Sequence, residues 1–176
     1  MVKEYNLSEL NFSLDSYEDL FSDFDPRPYS KKALSDDFLS EAKRAVRDKI
    51  PERIDLKLFV QKKKRNFSDE FIIKRRLKEH FKKHYELLRD ERNKIIKKGI
   101  MFISIGIILM LVATSVLFYQ QGKSFFISLI IVVLEPSGWF LFWEGLNLVV
   151  FNSKEQNPRF EFYKKMVNCR ISFFDS

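Results

Sequence analysis

The sequence predicts a membrane protein that is mainly α-helical, with a two-helix transmembrane hairpin and a small cytoplasmic α/β (α+β) domain. Three observations lead to this fold class. Between Ile100 and Phe151 only Lys123, Glu135 and Glu144 carry charge, although 31% of the whole chain is charged. This stretch divides into two apolar runs around a short polar turn, and each run is long enough to cross a hydrocarbon core about 30 Å thick. Strand-like alternation occurs both before and after it.

Length, charge and cysteine content narrow the class further. The 176 residues allow one modest domain beside the helices, and the formal net charge is +7. Residues 34–98 alone carry 21 basic against 12 acidic residues, which is typical of a segment that flanks a membrane helix on the cytoplasmic side. Cys169 is the only cysteine, so the chain forms no internal disulfide and no cysteine-based zinc site.

Residues 1–33 are expected to form an extended arm, acidic and rich in aromatic residues, that packs on the domain. Disorder is the alternative. No clean hydrophobic period runs through this segment. The sequence Asp25-Pro26-Arg27-Pro28 excludes regular structure near its end, because each proline fixes its own backbone and restricts the residue before it.

Residues 34–98 are expected to form a basic cytoplasmic region in the order helix, strand, helix. Ser35 can cap the first helix, with Asp36 and Asp37 at the positive end of its dipole, and Pro51 ends it. Alternating apolar residues then predict a half-buried strand: Ile54, Leu56, Leu58 and Val60.

The second helix of this region is expected to begin at Ser68 and to continue into the first transmembrane span. Apolar or aromatic residues recur on it at spacings of three and four: Ile73, Leu77, Phe81, His84 and Leu88. No proline or glycine interrupts the run before Gly99, which we expect to act as a hinge.

The transmembrane helices are predicted at residues 100–119 and 125–151, with an external turn at 120–124. The first run contains 20 residues without a charge, which is about 30 Å of helix. The second run has 27 residues, so it must tilt, extend into the interface or break. Pro136 and Gly138 lie near its middle.

Basic residues predict a protein of the cell (plasma) membrane that crosses it twice, with both termini in the cytoplasm. Five bases lie shortly before the first span and four after the second, whereas the turn has only Lys123. The tail, residues 152–176, is therefore expected to be cytoplasmic. Its alternation at 167–173 predicts a strand that can pair with the strand at 54–60, as can the arm or another subunit, because a lone strand leaves backbone groups unpaired.

Several local patterns occur in an order that resembles a known family. They are Phe24-Asp25-Pro26-Arg27-Pro28, the helix opening at 34–37, the strand at 54–60, the basic amphipathic helix, Gly138-Trp139-Phe140-Leu141-Phe142-Trp143, residues 148–151 and Tyr163-Lys164-Lys165. Together they resemble an uncharacterised family of small prokaryotic membrane proteins with two spans, over most of residues 24–172. After Trp143 that family's pattern has a basic residue, a proline and a glutamate, whereas this chain has Glu144-Gly145-Leu146-Asn147. The resemblance implies the two-span architecture and no particular activity.

Glu135 is the main candidate functional residue of the hairpin. A carboxylate near the centre of a membrane helix is unfavourable by about 3 kcal/mol or more unless it is neutral, paired or in contact with water. Glu135, Trp139 and Trp143 recur every four residues and share one face. The interpretations are a proton or cation site, a helix break at Glu135-Pro136 whose free amides or a neighbouring chain bind the carboxylate, or a hydrocarbon segment shifted to 137–151. Glu144 is expected on the opposite face.

Two further sets of residues are candidate sites. His80 and His84 lie four apart on a helix and can share one zinc ion, although no third ligand is evident and nearby lysines repel a cation. A basic surface is expected from Lys62, Lys63, Lys64, Arg65, Lys97 and Lys98. Few aromatic residues accompany it, so anionic lipid headgroups are a candidate partner and nucleic acid is not an expected one. No catalytic or cofactor motif is present, so neither an enzyme nor a cofactor is predicted.

The sequence therefore predicts an integral membrane protein that serves as a non-enzymatic oligomeric scaffold or interaction protein. Small residues seven apart on each span favour close approach of helices and thus a homo-oligomer: Gly106 and Ala113, Gly138 and Gly145. One alternative is an ion or proton pathway, or a membrane effector, that uses Glu135. Another is a membrane-anchored sensor of an anionic ligand, based on the charge of residues 34–98. The lipid bilayer is a partner in all three.

Overall fold

The computed structural model describes residues 7–47, 53–119, 124–152 and 157–176, and the structure is mostly helical. The predicted helix end at Pro51 and most of the predicted turn at 120–124 fall outside these residues. The elements follow in the order β1 (Leu7–Leu14), α1 (Asp36–Arg47), β2 (Arg53–Val60), α2 (Phe67–Tyr119), α3 (Phe125–Asn147), α4 (Asn157–Val167) and β3 (Arg170–Asp175).

The chain forms two compact units. One contains Met1–Leu87 and Pro158–Ser176, and the other contains Leu88–Asn157. The three strands, α1, α4 and the first part of α2 belong to the first unit, which is a small α/β domain. The remainder of α2 and all of α3 belong to the second unit.

The α/β domain is built on a three-stranded parallel sheet with β2 in the centre. β1 and β3 both pair with β2, so that Leu10, Leu56 and Ile171 lie side by side. The four inward residues of β2 are at most 2% exposed, whereas Asp55, Lys57 and Phe59 between them remain partly exposed. The strand predicted at 54–60 is therefore present, and its alternation reflects a sheet with one face in the core.

Three helices supply the other layer of this core. Each presents an apolar stripe at helical spacing. The buried apolar residues are Phe38, Leu39, Ala42 and Val46 of α1, Ile73, Leu77 and Phe81 of α2, and Phe160, Phe162, Tyr163 and Met166 of α4. Edge-to-face ring pairs join Phe12 to Phe38 at 5.5 Å and Phe81 to Phe162 at 6.3 Å. Each buried side chain of this size contributes about 1.5–3 kcal/mol, so the stripes account for the cohesion of the domain.

Residues 7–33 contain more regular structure than the predicted extended arm. They begin with the edge strand β1 and continue into a 3-10 turn at Tyr17–Leu20, which Ser16 caps through its hydroxyl. The disorder alternative is wrong for this part of the chain, because Leu10, Leu14, Tyr17, Leu20 and Phe21 are all buried. The segment 25–28 is irregular, as predicted. Its Asp25 carboxylate binds the Arg27 guanidinium at 2.7 Å.

The tail differs from the prediction, since a helix precedes its strand. α4 spans Asn157–Val167, and β3 begins at Arg170 instead of residue 167. Pro158 lies in the first turn of α4. An N–H group at this position would have no partner within the helix, so proline loses no hydrogen bond there. Ile171 and Phe173 keep the predicted inward alternation.

α2 is a single helix of 53 residues. It begins at Phe67, one residue before the predicted start, and the side chain of Asn66 accepts a hydrogen bond from the Ser68 N–H group at 3.0 Å. The helix continues through Gly99 without interruption, and the hinge at this residue stays a prediction. Gly99 allows close contact with α3, because a Cβ atom there would lie 2.9 Å from the carbonyl oxygen of Gly145.

Glycines bring the backbones of α2 and α3 into contact. A Cβ atom on Gly106 would lie 2.7 Å from the carbonyl oxygen of Gly138, and one on Gly145 would lie 2.6 Å from the carbonyl oxygen of Gly99. Ala113 extends the seven-residue spacing and is 2% exposed. These small residues, from which a homo-oligomer was predicted, are therefore occupied within one chain and do not favour association between chains.

Both helices are long and apolar enough to cross a membrane. α3 continues through Pro136, so the helix break expected at Glu135-Pro136 is wrong. The Ser137 hydroxyl donates a hydrogen bond to the Val133 carbonyl oxygen at 2.7 Å, and such side chains help a helix to accommodate a proline. A π turn at Leu148–Asn152 follows α3.

The glycine contacts generate a stability prediction. Gly106→Val and Gly145→Val each place a branched side chain against backbone atoms, and we expect each to destabilise the helix pair by about 2 kcal/mol or more. Thermal unfolding of the detergent-solubilised protein, followed by circular dichroism, measures the change. Ser104→Val is the matched control, because Ser104 is exposed on the same helix. Unfolding of Gly106→Val at the temperature of the control would contradict the prediction.

Candidate functional sites

The outer surface of α3 carries Glu135, Trp139 and Trp143. All three side chains are exposed, with Trp139 at 50% and Trp143 at 60%. The two indole rings are stacked, with centroids 6.4 Å apart and an angle of 21° between their planes. The three residues share one face because the helix continues through Pro136, so this surface is formed by a regular helix and not by a break.

Glu135 lies at the middle of the paired apolar stretches. A Cβ atom on Gly138 would lie 3.0 Å from the Gly106 carbonyl oxygen and 3.2 Å from the Met110 nitrogen, which sets the antiparallel register. Glu135 is about 4.5 Å further along the axis, and is therefore level with the residues around Met110. That is the centre of the uncharged stretch 100–119.

Glu144 lies at the end of the apolar stretch and not at its centre. The next residue, Gly145, packs on Gly99, which directly precedes the uncharged run. The Glu144 side chain is half-buried and is directed to the opposite side of α3 from Glu135. The two carboxylates are separated by about 13 Å along the helix axis, so they do not form an acid–base pair.

His80 and His84 belong to an aromatic cluster. Their ring centroids are 4.3 Å apart, and His84 stacks on Tyr163 at 5.1 Å. Burial, followed by the charges of neighbours that include Arg76 and Lys43, lowers the pKa of His80 to about 4, and burial also lowers the pKa of His84. Across the part of the chain that the structure describes, no three His, Cys, Asp or Glu side chains are grouped to hold a metal ion. The pair therefore packs as neutral imidazoles.

The fold divides the basic run at 62–65. Residues 62–64 form an exposed 3-10 turn, whereas Arg65 turns inward and is 16% exposed in its side chain. Its guanidinium donates hydrogen bonds to Glu70 at 2.7 and 3.0 Å and to Asp175 at 2.5 Å, and these carboxylates raise the pKa of Arg65. Arg65 therefore stabilises the fold and does not belong to the predicted basic surface.

Glu70 is the buried centre of this network, with only 3% of its surface exposed. The Tyr17 hydroxyl donates to Glu70 at 3.1 Å and accepts a hydrogen bond from the Asn66 N–H group at 2.9 Å. Burial raises the pKa of Tyr17. The network ties the turn after β1 to the start of α2 and the end of β3.

Lys97 and Lys98 remain exposed on α2 directly before Gly99. The Lys98 ammonium lies 5.5 Å from the centroid of the Phe102 ring. This geometry allows the aliphatic stem to lie along apolar surface while the charge stays in water. The two lysines therefore differ from Arg65 and are free of ion pairs among the described residues.

A basic groove between α1 and α4, not predicted from the sequence, lies in the α/β domain. It has a volume of about 540 Å³. The cations around it come from two distant segments: Lys43, Arg44 and Arg47 on α1, and Arg159 and Lys165 on α4. The only sequence signal for it is the set of three bases in the last turns of α1, because the contribution of α4 depends on the fold.

No known protein family, curated protein or solved structure matches this chain. The resemblance to a two-span family therefore remains an expectation from the sequence.

The Arg65 network generates the second prediction. Arg65→Met leaves the buried Glu70 carboxylate without its cation and is expected to lower the free energy of unfolding of the domain by about 3 kcal/mol. Adding Glu70→Gln should recover most of the loss, since a neutral amide still accepts the Tyr17 hydrogen bond. Denaturant titration of the full chain measures both. Lys63→Met removes the same charge from an exposed position and should change stability by less than about 0.5 kcal/mol. Equal effects of Arg65→Met and Lys63→Met would contradict the assignment.

Proposed function

We propose that this chain is a two-span membrane protein that holds its α/β domain at the cytoplasmic surface and associates with a second copy of itself, as a non-enzymatic scaffold. The observation that carries the proposal is the position of Glu135, an exposed carboxyl group at mid-height of two apolar helices. Membrane insertion, orientation and association each have separate support.

The apolar surface of α2 and α3 supports insertion. Large hydrophobic side chains face outward along α2 from Ile100 onward and along α3, and a surface of this extent is unfavourable in water. Aromatic residues that are at least 72% exposed gather where the two helices approach the turn: Phe118, Tyr119, Phe125 and Phe126. Aromatic belts at the boundary of the hydrocarbon region have this arrangement.

The parallel sheet supports the orientation. β2 precedes the two apolar helices, β3 follows them, and the two strands are hydrogen-bonded to each other. This pairing supports an orientation in which both flanks of the helix pair lie on the same side of a membrane. The excess of basic residues on these flanks favours the cytoplasmic side.

Glu135 supports association. An ionisable side chain within the hydrocarbon region is unfavourable in contact with lipid and is usually directed to protein or to a water-filled cavity. Within the described part of its own chain, no hydrogen-bond or ion-pair partner of Glu135 is present, and it is exposed. A second copy related by two-fold symmetry would bring another Glu135 to the same depth. Two carboxyl groups that face each other between the chains would contact protein instead of lipid.

An ion or proton pathway through Glu135 is the alternative function. The helices of one chain are in backbone contact between Gly106 and Gly138, so a path for ions would have to form between several copies. The pathway therefore depends on association, and the test of association comes first.

Orientation generates the third prediction. Cysteines replace Ser124 and Ser176 one at a time in a Cys169→Ala background. Alanine is suitable at position 169 because Cys169 is buried and alanine adds no polar group. An impermeant thiol reagent on intact cells should label position 124 and not position 176, because only the turn faces outward. After permeabilisation both should react, which controls for reactivity. Labelling of position 176 on intact cells would overturn the orientation.

Association generates the fourth prediction. Val132 and Val133 are adjacent valines at the same depth, 66% and 59% exposed, but only Val132 lies on the side of Glu135. In native membranes, Val132→Cys should form a disulfide-linked dimer under mild oxidation and Val133→Cys should not. Glu135→Leu in the Val132→Cys background tests whether the carboxyl group contributes. If neither cysteine variant forms a dimer, or if both form it equally, association through this face is contradicted.

A further inference from the structure

The groove between α1 and α4 has the size and lining of a binding site. Its volume of about 540 Å³ lies in the range of small-ligand pockets. Val46 and Phe162 form an apolar floor and are 5% and 4% exposed. Pro158 adds a third apolar surface at the start of α4. The groove can therefore contact an apolar group and a charged group of the same ligand.

Its charge is strongly positive. Lys43, Arg44, Arg47, Arg159 and Lys165 line it, against Glu161 as the one acidic lining residue. Glu161 is already engaged, because the ammonium group of Lys164 lies 3.5 Å from its carboxylate. Such a concentration of cations is self-repulsive and attracts an anion.

Three of these cations have no carboxylate partner among the residues that the structure describes. No described acidic side chain lies within ion-pair distance of Arg47, Arg159 or Lys165. Arg44 lies 3.9 Å from Glu41, which is a long distance for an ion pair, and both side chains are mostly exposed. This ion pair is therefore weak. The guanidinium groups are therefore available to a ligand from solution.

The chemistry of the groove selects the ligand class. Arginine presents a planar fork of N–H donors that fits phosphoryl oxygens in a bidentate manner, and two arginines come from different helices. We propose that the α1–α4 groove binds a phosphoryl-bearing anion, and that the headgroup of an anionic phospholipid supplies it. The apolar floor fits the glycerol and first methylene groups of such a lipid.

The inference that the ligand is a lipid depends on the proposed membrane location. The inference that the groove binds a phosphoryl group does not. Arg159 and Lys165 follow α3 within 20 residues in the sequence, where basic residues meet anionic headgroups. A soluble phosphate compound would use the same N–H donors, so the experiment includes both sources.

Lipid binding to the full chain, solubilised in an uncharged detergent, tests the proposal. Phosphatidylglycerol is titrated, with phosphatidylcholine as the zwitterionic comparison, and Arg47→Gln/Arg159→Gln is compared with the parent protein. We expect the Kd for phosphatidylglycerol to rise at least about tenfold, because two charge-assisted hydrogen-bond donors are lost. Both arginines are exposed, so the variant should fold.

Lys31→Gln/Lys78→Gln is the matched control, since it removes two exposed charges that do not line the groove. Its Kd should rise less than about threefold. An equal loss of affinity for phosphatidylglycerol in both variants, or no loss in either, would show that the groove is not the binding site. Soluble glycerol 3-phosphate that binds as tightly as the lipid, and loses affinity in the groove variant, would retain the phosphoryl site and reject the lipid as its source. Because the assay uses solubilised protein, its outcome is independent of orientation and association.

Discussion

The structure depends on the need of one strand, β2, for backbone hydrogen-bond partners at both of its edges. β2 is the most deeply buried strand, and its N–H and C=O groups require partners on both sides. Those partners come from opposite ends of the chain, β1 before it and β3 after the apolar helices. This pairing requires the chain to return after α2, and the return sets α2 and α3 side by side. The α/β domain and the helix pair are thus consequences of a single backbone requirement.

The glycines determine how the two antiparallel helices pack against each other. A spacing of seven residues on both helices fixes their antiparallel register through backbone contacts, and the register in turn fixes the height of every other side chain. Glu144 reaches the end of the apolar stretch, where a carboxylate is tolerated. Glu135 reaches its centre, where a carboxylate requires a partner. The same small residues thus keep the two helices together and determine which carboxyl group lies midway along the apolar stretch.

Periodicity predicted the elements whose signal is local. The strand at 54–60 and the long α2 both follow from regular apolar spacing, as do the two apolar helices. β1 was predicted only as an extended arm able to pair with the strand at 54–60, because its alternation covers only the inward residues Leu10, Phe12 and Leu14 among polar neighbours. The role of the glycines was recognised, but not that their partner is within the chain, since spacing does not identify the opposing helix. Arg65 and the α1–α4 groove depend on residues about 110 positions apart, so no local pattern reveals them.

Because β2 pairs with β3, the sheet can be completed only late in synthesis of the chain. Asp55 and Arg170 are register partners, and ribosomes need roughly 5–20 s to make the chain between them. During that time β2 has β1 on one edge and an open edge on the other, while the apolar helices emerge. Productive folding therefore requires β3 to reach the open edge of β2 before an open strand of another molecule does. A mutation that delays the arrival of β3 would favour aggregation even where it leaves every contact of the finished protein intact.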